Sequence, residues 1–432
     1  MPGADRQCRG RPPRAVIRCV AAISCIAVII LGSKTLGMHM NSDPVVILSA
    51  RRTPVGAFQG AFTTVTAPQL GAVAIKAALA DSGLAGSQVD EVIMGCVLSA
   101  GIGQAPARQA ALGAGLPSSV PSTTVNKMCG SAMRAVMLGA DQILAGSAQV
   151  VVAGGIESMT NAPYLLPKAR AGYRMGHQEV LDHMFFDGLQ SPWDGQLMGC
   201  FADATSEKYG FTRQAQDDFA AESLRRALGA VSKGDFKAEV APVTAKTRKG
   251  EVVVDQDETP FTLDIDKIPT LKPAFKKDGT VTAASSSGIS DGAAALVLTR
   301  ESFAAAKGLK PLARILGHTS FAREPEWFTL APVGAIRKLL TQLNWLAKDV
   351  DLYEINEAFA AVPMAAMKDL SLDHAKVNVN GGACALGHPI GATGARILTT
   401  LLYALKARGK KRGIASLCIG GGEATAIAIE LV

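Results

Sequence analysis

Residues 123–140 read TTVNKMCGSAMRAVMLGA and, after DQILAGSA, residues 149–159 read QVVVAGGIESM. A short β-branched run leads into a turn holding one cysteine and a glycine, then an apolar stretch with helical spacing, then a wholly apolar run broken by paired glycines. The same order returns far downstream. Residues 376–402 read KVNVNGGACALGHPIGATGARILTTLL, and residues 413–429 read GIASLCIGGGEATAIAI. Strand, glycine-bearing turn, helix and apolar strand, met twice, indicate an internal duplication: two similar α/β halves with a site at their junction.

The flanking sequence fits this reading. PVVILSA (44–50) reads as a buried strand, and APQLGAVAIKAALADSG (67–83) as an amphipathic helix ending at Gly83. VDEVIMGCVLSA (89–100) is strand-like again, and GQAPARQAALGAG (103–115) is a short helix. Alternation at this pitch implies a parallel sheet with helices on its faces. From 159 to 287 charge and aromatic content rise, loops such as NAPYLLPKARAGYRMG appear, and one clear helix, TRQAQDDFAAESLRRALGAV, stands out. This reads as an insertion. Alternation resumes with DGAAALVLT (291–299). The expected organisation is an extension over 1–40 outside the fold and a first half over 41–158 completed by about 288–310. An inserted domain over 159–287 and a second half over 311–432 complete it.

The chain of 432 residues, 48% hydrophobic and 19% charged, is long enough for two or three sizeable cores. A net charge of +7 suits an anionic partner, yet part of it sits in Arg6, Arg9, Arg11, Arg14 and Arg18. No long basic run with interleaved aromatics follows, which argues against nucleic acid and for a phosphate-bearing small molecule. CVAAISCIAVIILG (19–32) resembles the front of a signal peptide and is short for a bilayer span. Met38 and Met40 each offer an alternative start just before the first strand. A dispensable extension is expected, with a weak anchor or export as alternatives; membrane association of the folded part is not.

Eight cysteines (Cys8, Cys19, Cys25, Cys96, Cys129, Cys200, Cys384 and Cys418) form no CxxC pair and no zinc-type spacing with histidine. No metal is expected. A reducing, cytoplasmic setting with one or two functional thiols follows.

Four stretches place a polar or thiol residue at the carboxyl end of an expected strand, where open α/β sheets bind ligands: NKMCGS, NEAFA, GGACALGHPIGATGAR and SLCIGGGEA. Cys129 is either a small core residue or a nucleophile at a helix start, whose dipole would lower its thiol pKa and favour thiolate. His388, set among glycines in LGHPIG, is a structural histidine or a base. Cys418 is a buried thiol or lies where backbone approaches a ligand, and Asn356 is an N-cap or a site residue. No GxxxxGK[ST] is present, and no strand-anchored GxGxxG has an acidic residue at the expected distance, so nucleotide-loop chemistry is unsupported.

Taken together, NKMCGSAMRA, INEAFAAV, NVNGGACALGHPIGATGARI and SLCIGGGEATA resemble the thiolase family, with RRTPVGAF, GQAPARQA, VVVAGGIESM and SSSGISDGAAA in support. The resemblance covers nearly all of 44–432 and is nearest to short-chain acetyl-CoA C-acetyltransferases. It implies the thiolase fold: two βαβαβαββ halves in a five-layer α-β-α-β-α sandwich with an inserted CoA-binding loop domain. It implies reversible Claisen condensation of two acetyl-CoA to acetoacetyl-CoA, or thiolysis of short-chain 3-ketoacyl-CoA, through an acyl-cysteine. Coenzyme A is substrate and product, and no cofactor is implied. By position, Cys129 matches the acylated cysteine, His388 its activator, Cys418 the second, acid/base cysteine, and Asn356 the asparagine that holds an oxyanion-site water. The N–H groups of Cys129 and Gly420 match a second oxyanion hole. Ser287 matches the pantetheine-contacting serine. Leu189, Met198 and Phe359 match pocket positions, and Phe328 one that is phenylalanine in members handling 2-methyl-branched substrates. Family members are dimers or tetramers, and GQAPARQA resembles a dimer-interface segment.

Some positions depart from the family pattern. Ser285, Ser286 and Ser287 replace a usual Asn-Ala-Ser, and Ser290 a usual asparagine. Leu197 stands where histidine is usual, Trp193 replaces an aromatic linked to a potassium site, and TPFTLD lacks a common basic residue. Alternatives are a broader 3-ketoacyl-CoA thiolase of fatty-acid or branched-chain degradation, a ketoacyl synthase (which would need a second histidine), and a non-enzymatic thiolase-like lipid-binding protein.

Overall fold

The computed structural model describes residues 43–247 and 250–432. The expected extension over 1–40 lies outside the described residues. Nine strands form the path of the main sheet: β1 (Val45–Arg52), β2 (Glu91–Gly95), β3 (Ser122–Val125), β4 (Val150–Ser158), β5 (Ser290–Arg300), β6 (Ala313–Ala322), β7 (Leu352–Ile355), β8 (Arg412–Ile419) and β9 (Glu423–Leu431). Their order is β7-β8-β9-β6-β1-β5-β4-β2-β3, and a short strand, Gly56–Ala57, sits beside β5.

The duplication is visible in the ladder. In the first half β3, β2 and β4 run parallel, and β5 and β1 then pair antiparallel. In the second half β7 and β8 run parallel, and β9 and β6 follow antiparallel. The strand expected at 376–380 shrinks to one bridge, Val377 beside Tyr353. The halves share one hydrogen-bonded sheet because β1 and β6 pair over two residues, Val46 with Arg314 and Ile47 with Ala313. Strands such as β4 and β5 are apolar on both sides because helices cover both faces.

Helices α1 (Ala67–Ser82) and α2 (Pro106–Gly113) pack on the outer side of the first half-sheet. Helix α3 (Ser131–Ala145) lies between the half-sheets. In the inserted region α4 (Met198–Tyr209) precedes α5 (Arg213–Lys233); α6 (Ala331–Leu343) and α7 (Ala361–Leu370) cover the second half, and α8 (Thr393–Ala407) shares the central layer with α3. The layers therefore run α1/α2, first half-sheet, α3/α8, second half-sheet, α6/α7. Local chemistry sets the ends: Thr66 caps α1 through Gln69 in a capping box, and Gly83 closes it with φ 74°. The insertion holds two long helices where one was expected. Helix α4 was hidden because its first turn carries no capping side chain.

Among the described residues, no helix is long and apolar enough to cross a membrane.

Candidate active site

The first half presents Cys129 on a tight turn between β3 and α3. Met128 adopts φ 47°, and Gly130 is the N-cap of α3. Ser131 Oγ accepts from the Lys127 N–H at 2.8 Å and donates to the Met128 carbonyl at 2.6 Å, which closes the turn. Gly130 lets the second half pack close: a Cβ there would meet the side chain of Ile419, the neighbour of Cys418, which would have to move. Gly394 likewise lets the start of α8 lie against the Met133 backbone of α3. The first contact brings the cysteine turns of the two halves together and the second joins the central helices, and a charge on Cys129 would raise the Cys418 pKa. The backbone N–H groups of Gly420 and of Cys129 itself reach the Cys129 sulfur.

The thiol is not the low-pKa group expected from a helix start. Burial pushes Cys129 up to about 11, with the two N–H groups opposing and Glu157 adding slightly to the rise. Cys129 stands outside α3, with Gly130 between, and no cation sits among the groups that shift its pKa. Cys418, buried at the end of β8, is also raised well above the usual thiol range, by burial and by Cys129. Both thiols are therefore protonated at neutral pH.

His388 is buried, and its tautomer follows from its neighbours. Thr393 Oγ1 donates to the Pro389 carbonyl at 2.8 Å, so toward His388 Nδ1, 2.6 Å away, it accepts. The proton is on Nδ1, and Nε2 offers its lone pair toward Asn356 Nδ2 at 3.4 Å. Burial, helped by the Arg396 charge, lowers the imidazole pKa to about 3 and keeps the ring neutral. Thr393 was not singled out from sequence; its signal was its place at the start of a helix five residues after the histidine. Thr393→Val, close in volume, strands the Nδ1–H and releases the tautomer. Thiolysis kcat is expected to fall roughly 10–100-fold with KM little changed, as a slight misplacement of a reacting group would produce. Steady-state kinetics check this.

Asn356 follows β7 and is not an N-cap, since α7 starts at Ala361 with Ala360 as its cap. Its N–H donates to the Ser416 carbonyl at 3.0 Å, continuing the ladder toward Cys418, and its buried Oδ1 has no hydrogen-bond partner among the described residues. Next to it Glu357 accepts from Ser223 Oγ (2.7 Å), Asn378 Nδ2 (2.8 Å) and the Cys384 N–H (3.0 Å), which fixes the NEAF turn to the histidine loop and to α5. Glu157 does the same for the first half, accepting N–H groups of Val97, Leu98 and Gly391. Neither carboxylate's role was read from sequence.

The remaining candidates sort onto two sides. Met198, Phe328 and Phe359 share one apolar cluster with Cys418. Phe328 meets Phe201 edge-on at 6.2 Å, and Phe359 meets Phe275 edge-on at 5.8 Å. Leu189 packs instead with Cys129, Met159 and Ile390. Ser287 is half-buried, and its N–H donates to the Ala358 carbonyl at 3.0 Å beside Phe359. Trp193 is exposed and lies over Gly421, next to Gly420.

Two cysteines, a neutral histidine whose Nε2 faces an asparagine amide, and two N–H groups reaching one sulfur are group types that acyl transfer uses. Comparison with known proteins agrees: residues 45–302 match the thiolase N-terminal domain, and residues 309–431 match the thiolase C-terminal domain. The chain belongs to the thiolase family. It is 50% identical over 393 residues to an acetyl-CoA acetyltransferase of Cupriavidus necator, covering 89% of this chain and 99% of the relative. An Escherichia coli acetyl-CoA acetyltransferase is 51% identical over 387 residues, 89% of this chain and 98% of the relative. The crystal structure of the Bacillus anthracis acetyl-CoA acetyltransferase superposes with a TM-score of 0.88 at 44% identity, covering 90% of this chain and 99% of that one. A thiolase from Ascaris suum in complex with coenzyme A gives 0.86 at 43% identity, over 90% and 100% of the two chains.

Proposed function

We propose that the protein is an acetyl-CoA C-acetyltransferase. It condenses two acetyl-CoA to acetoacetyl-CoA and CoA and, in reverse, cleaves short-chain 3-ketoacyl-CoA with CoA. The observation that carries this reading is the arrangement of Cys129, the N–H groups of Cys129 and Gly420, and the His388–Asn356 pair, with Cys418 at the end of the adjoining strand.

A thiol at pKa about 11 and an imidazole at about 3 do not exchange a proton in the resting site. The proton therefore passes from Cys129 to His388 Nε2 as sulfur bonds to the acetyl-CoA carbonyl. The carbonyl oxygen gains charge and is held by the N–H groups of Cys129 and Gly420, each such donor being worth about 3–4 kcal/mol. The departing CoA sulfur takes the Cys418 proton. The Cys418 thiolate then removes the α-proton of the second acetyl-CoA, and protonated His388 Nε2, with a water on Asn356, stabilises the enolate oxygen. The enolate carbon attacks the acetyl group, Cys129 leaves and recovers its proton from His388, and Cys418 keeps the proton taken from substrate. Run backwards, the same groups perform thiolysis.

Leu189, Met198, Phe328, Phe359 and Ser287 would line the acyl and pantetheine path. Exposed Tyr164, Leu166 and Met175 in the inserted region support a homodimer or homotetramer. The free thiols of Cys96, Cys129, Cys200, Cys384 and Cys418 support a cytoplasmic location.

A thiolysis series from acetoacetyl-CoA to longer 3-ketoacyl-CoA tests the substrate. Highest kcat/KM is expected with the four-carbon compound, and a maximum at eight or more carbons would overturn the short-chain reading. The match of Phe328 to the position that is phenylalanine in members handling 2-methyl-branched substrates suggests one refinement, turnover of the 2-methyl analogue, and no measurable cleavage of that compound rules it out.

A further inference from the structure

Helix α8 carries a polar stripe inside the protein. Thr393, Arg396 and Thr400 fall at i, i+3 and i+7, one face of the helix over about 10 Å. Thr393 holds His388, and Thr400 Oγ1 donates to Glu239 Oε1 at 3.1 Å. Glu239 in turn accepts from Arg52 Nε at 2.6 Å, and Asp257 takes both Arg52 Nη atoms at 2.6 and 2.9 Å. Arg396, between the two threonines, is 2% exposed, yet its Nε, Nη1 and Nη2 have no hydrogen-bond partner among the described residues. Its nearest carboxylate is Glu354 on β7, also 2% exposed, with Nη1 to Oε2 at 3.9 Å, beyond a hydrogen bond. Glu354 Oε1, Glu239 Oε2 and Asn356 Oδ1 are equally without partners.

So many unpaired polar atoms, three of them on the Arg396 guanidinium, are not tolerated dry, and burial pushes the Glu354 carboxyl up to about 8. A guanidinium offers five N–H donors, and buried water satisfies such groups where several polar atoms converge. The placement links this pair to the chemistry. Glu354 is two residues before Asn356 along one strand direction, so both side chains leave the same face of the sheet. Arg396 is one turn past Thr393. Each partner of the pair thus stands directly behind one partner of the Asn356–His388 contact.

We propose that Arg396, Glu354 and Glu239 enclose a bound-water site that braces Asn356 against His388, which makes Arg396 a positioning residue for the oxyanion site. The groups facing Arg396 are Glu354 on β7, Glu239 and Asp257 in the inserted region, and Arg52 on β1, so the enclosure mixes both signs of charge. The Arg396 field also disfavours protonation of His388, second only to burial.

The inference rests on the acyltransferase reading, and the experiment separates the two. The full chain is prepared as wild type, Arg396→Met, Glu354→Gln, the Arg396→Met/Glu354→Gln double variant and Arg396→Lys; thermal melting and thiolysis of acetoacetyl-CoA are measured for each. A purely structural pair predicts that the double variant, which buries no lone charge, regains both stability and turnover. Positioning predicts that it regains stability while kcat stays about tenfold or more below wild type with the KM for CoA within about twofold, and that Arg396→Lys recovers part of kcat. A folded double variant with wild-type kcat overturns the proposal. So does failure of every variant to fold, which would make the pair a determinant of folding alone. An inactive wild type instead overturns the acyltransferase reading.

Discussion

Cys129→Ala is expected to fold as the wild type does and to lose at least ~10⁴-fold in thiolysis, with no acyl-enzyme detectable by mass spectrometry after incubation with labelled acetyl-CoA. The substitution removes one sulfur atom on a turn that the Ser131 hydroxyl and the Met128 carbonyl hold without it, so stability should hardly change. Of the other described cysteines, Cys418, Cys384 and Cys96 are buried and each is raised above the usual thiol range, and Cys200 lies on α4, away from the Cys129 turn. The raised pKa also has a signature in the free wild type. With a folded value near 11, the thiolate fraction grows about tenfold per pH unit through the neutral and mildly alkaline range. Iodoacetamide labelling of Cys129 should climb accordingly between pH 7 and 9, and a plateau near pH 7 would show that a group not seen in this site lowers the pKa. An acylated Cys129→Ala protein would remove the nucleophile assignment outright.

Cys418→Ala is expected to separate the two half-reactions. In acylation of Cys129 the proposed part of Cys418 is only to supply the proton of the departing CoA sulfur, which protonated His388 can supply in its place, so a labelled acetyl-enzyme should still form, more slowly. Abstraction of the α-proton should fall by roughly 10²–10⁴, the usual worth of a positioned acid or base. Proton NMR in deuterium oxide reads this directly: wild type exchanges the methyl protons of acetyl-CoA and the variant does not. The side chain sits at 0% exposure between Ile355, Ala424 and their neighbours, so a small loss of melting temperature should accompany the change. Undiminished exchange would move the acid/base role to another group, for which His388 would be the next candidate.

The sequence carried much of this because the fold is periodic and the chemistry uses few residue types. Alternation of apolar runs with helical spacing, met twice, is enough for two α/β halves, and thiols and histidine among glycines at strand ends are uncommon enough to stand out. What escaped was relational. The direction of the Cys129 shift depends on enclosure, which no local pattern reports, so the helix-start argument pointed the wrong way. Thr393 and Arg396 read as ordinary members of a buried helix until α8 is seen against His388 and β7. Glu157 and Glu357 read as acidic residues near loops, whereas each gathers three N–H or O–H donors from at least two segments distant in the chain.

The two halves repeat one topology, yet the connection from strand to central helix differs between them. In the first half residues 126–130 join β3 to α3, and in the second residues 378–392 lead from the Val377 bridge to α8. The short version can do no more than expose one atom, the sulfur of Cys129, at the mouth of a turn. The long version has slack to fold back over the seam and deliver an imidazole. A symmetric ancestor of such a pair would have had two equivalent corners and no division of tasks. Unequal loop length breaks that equivalence, and in the proposed mechanism one corner takes the acyl group while the other manages protons.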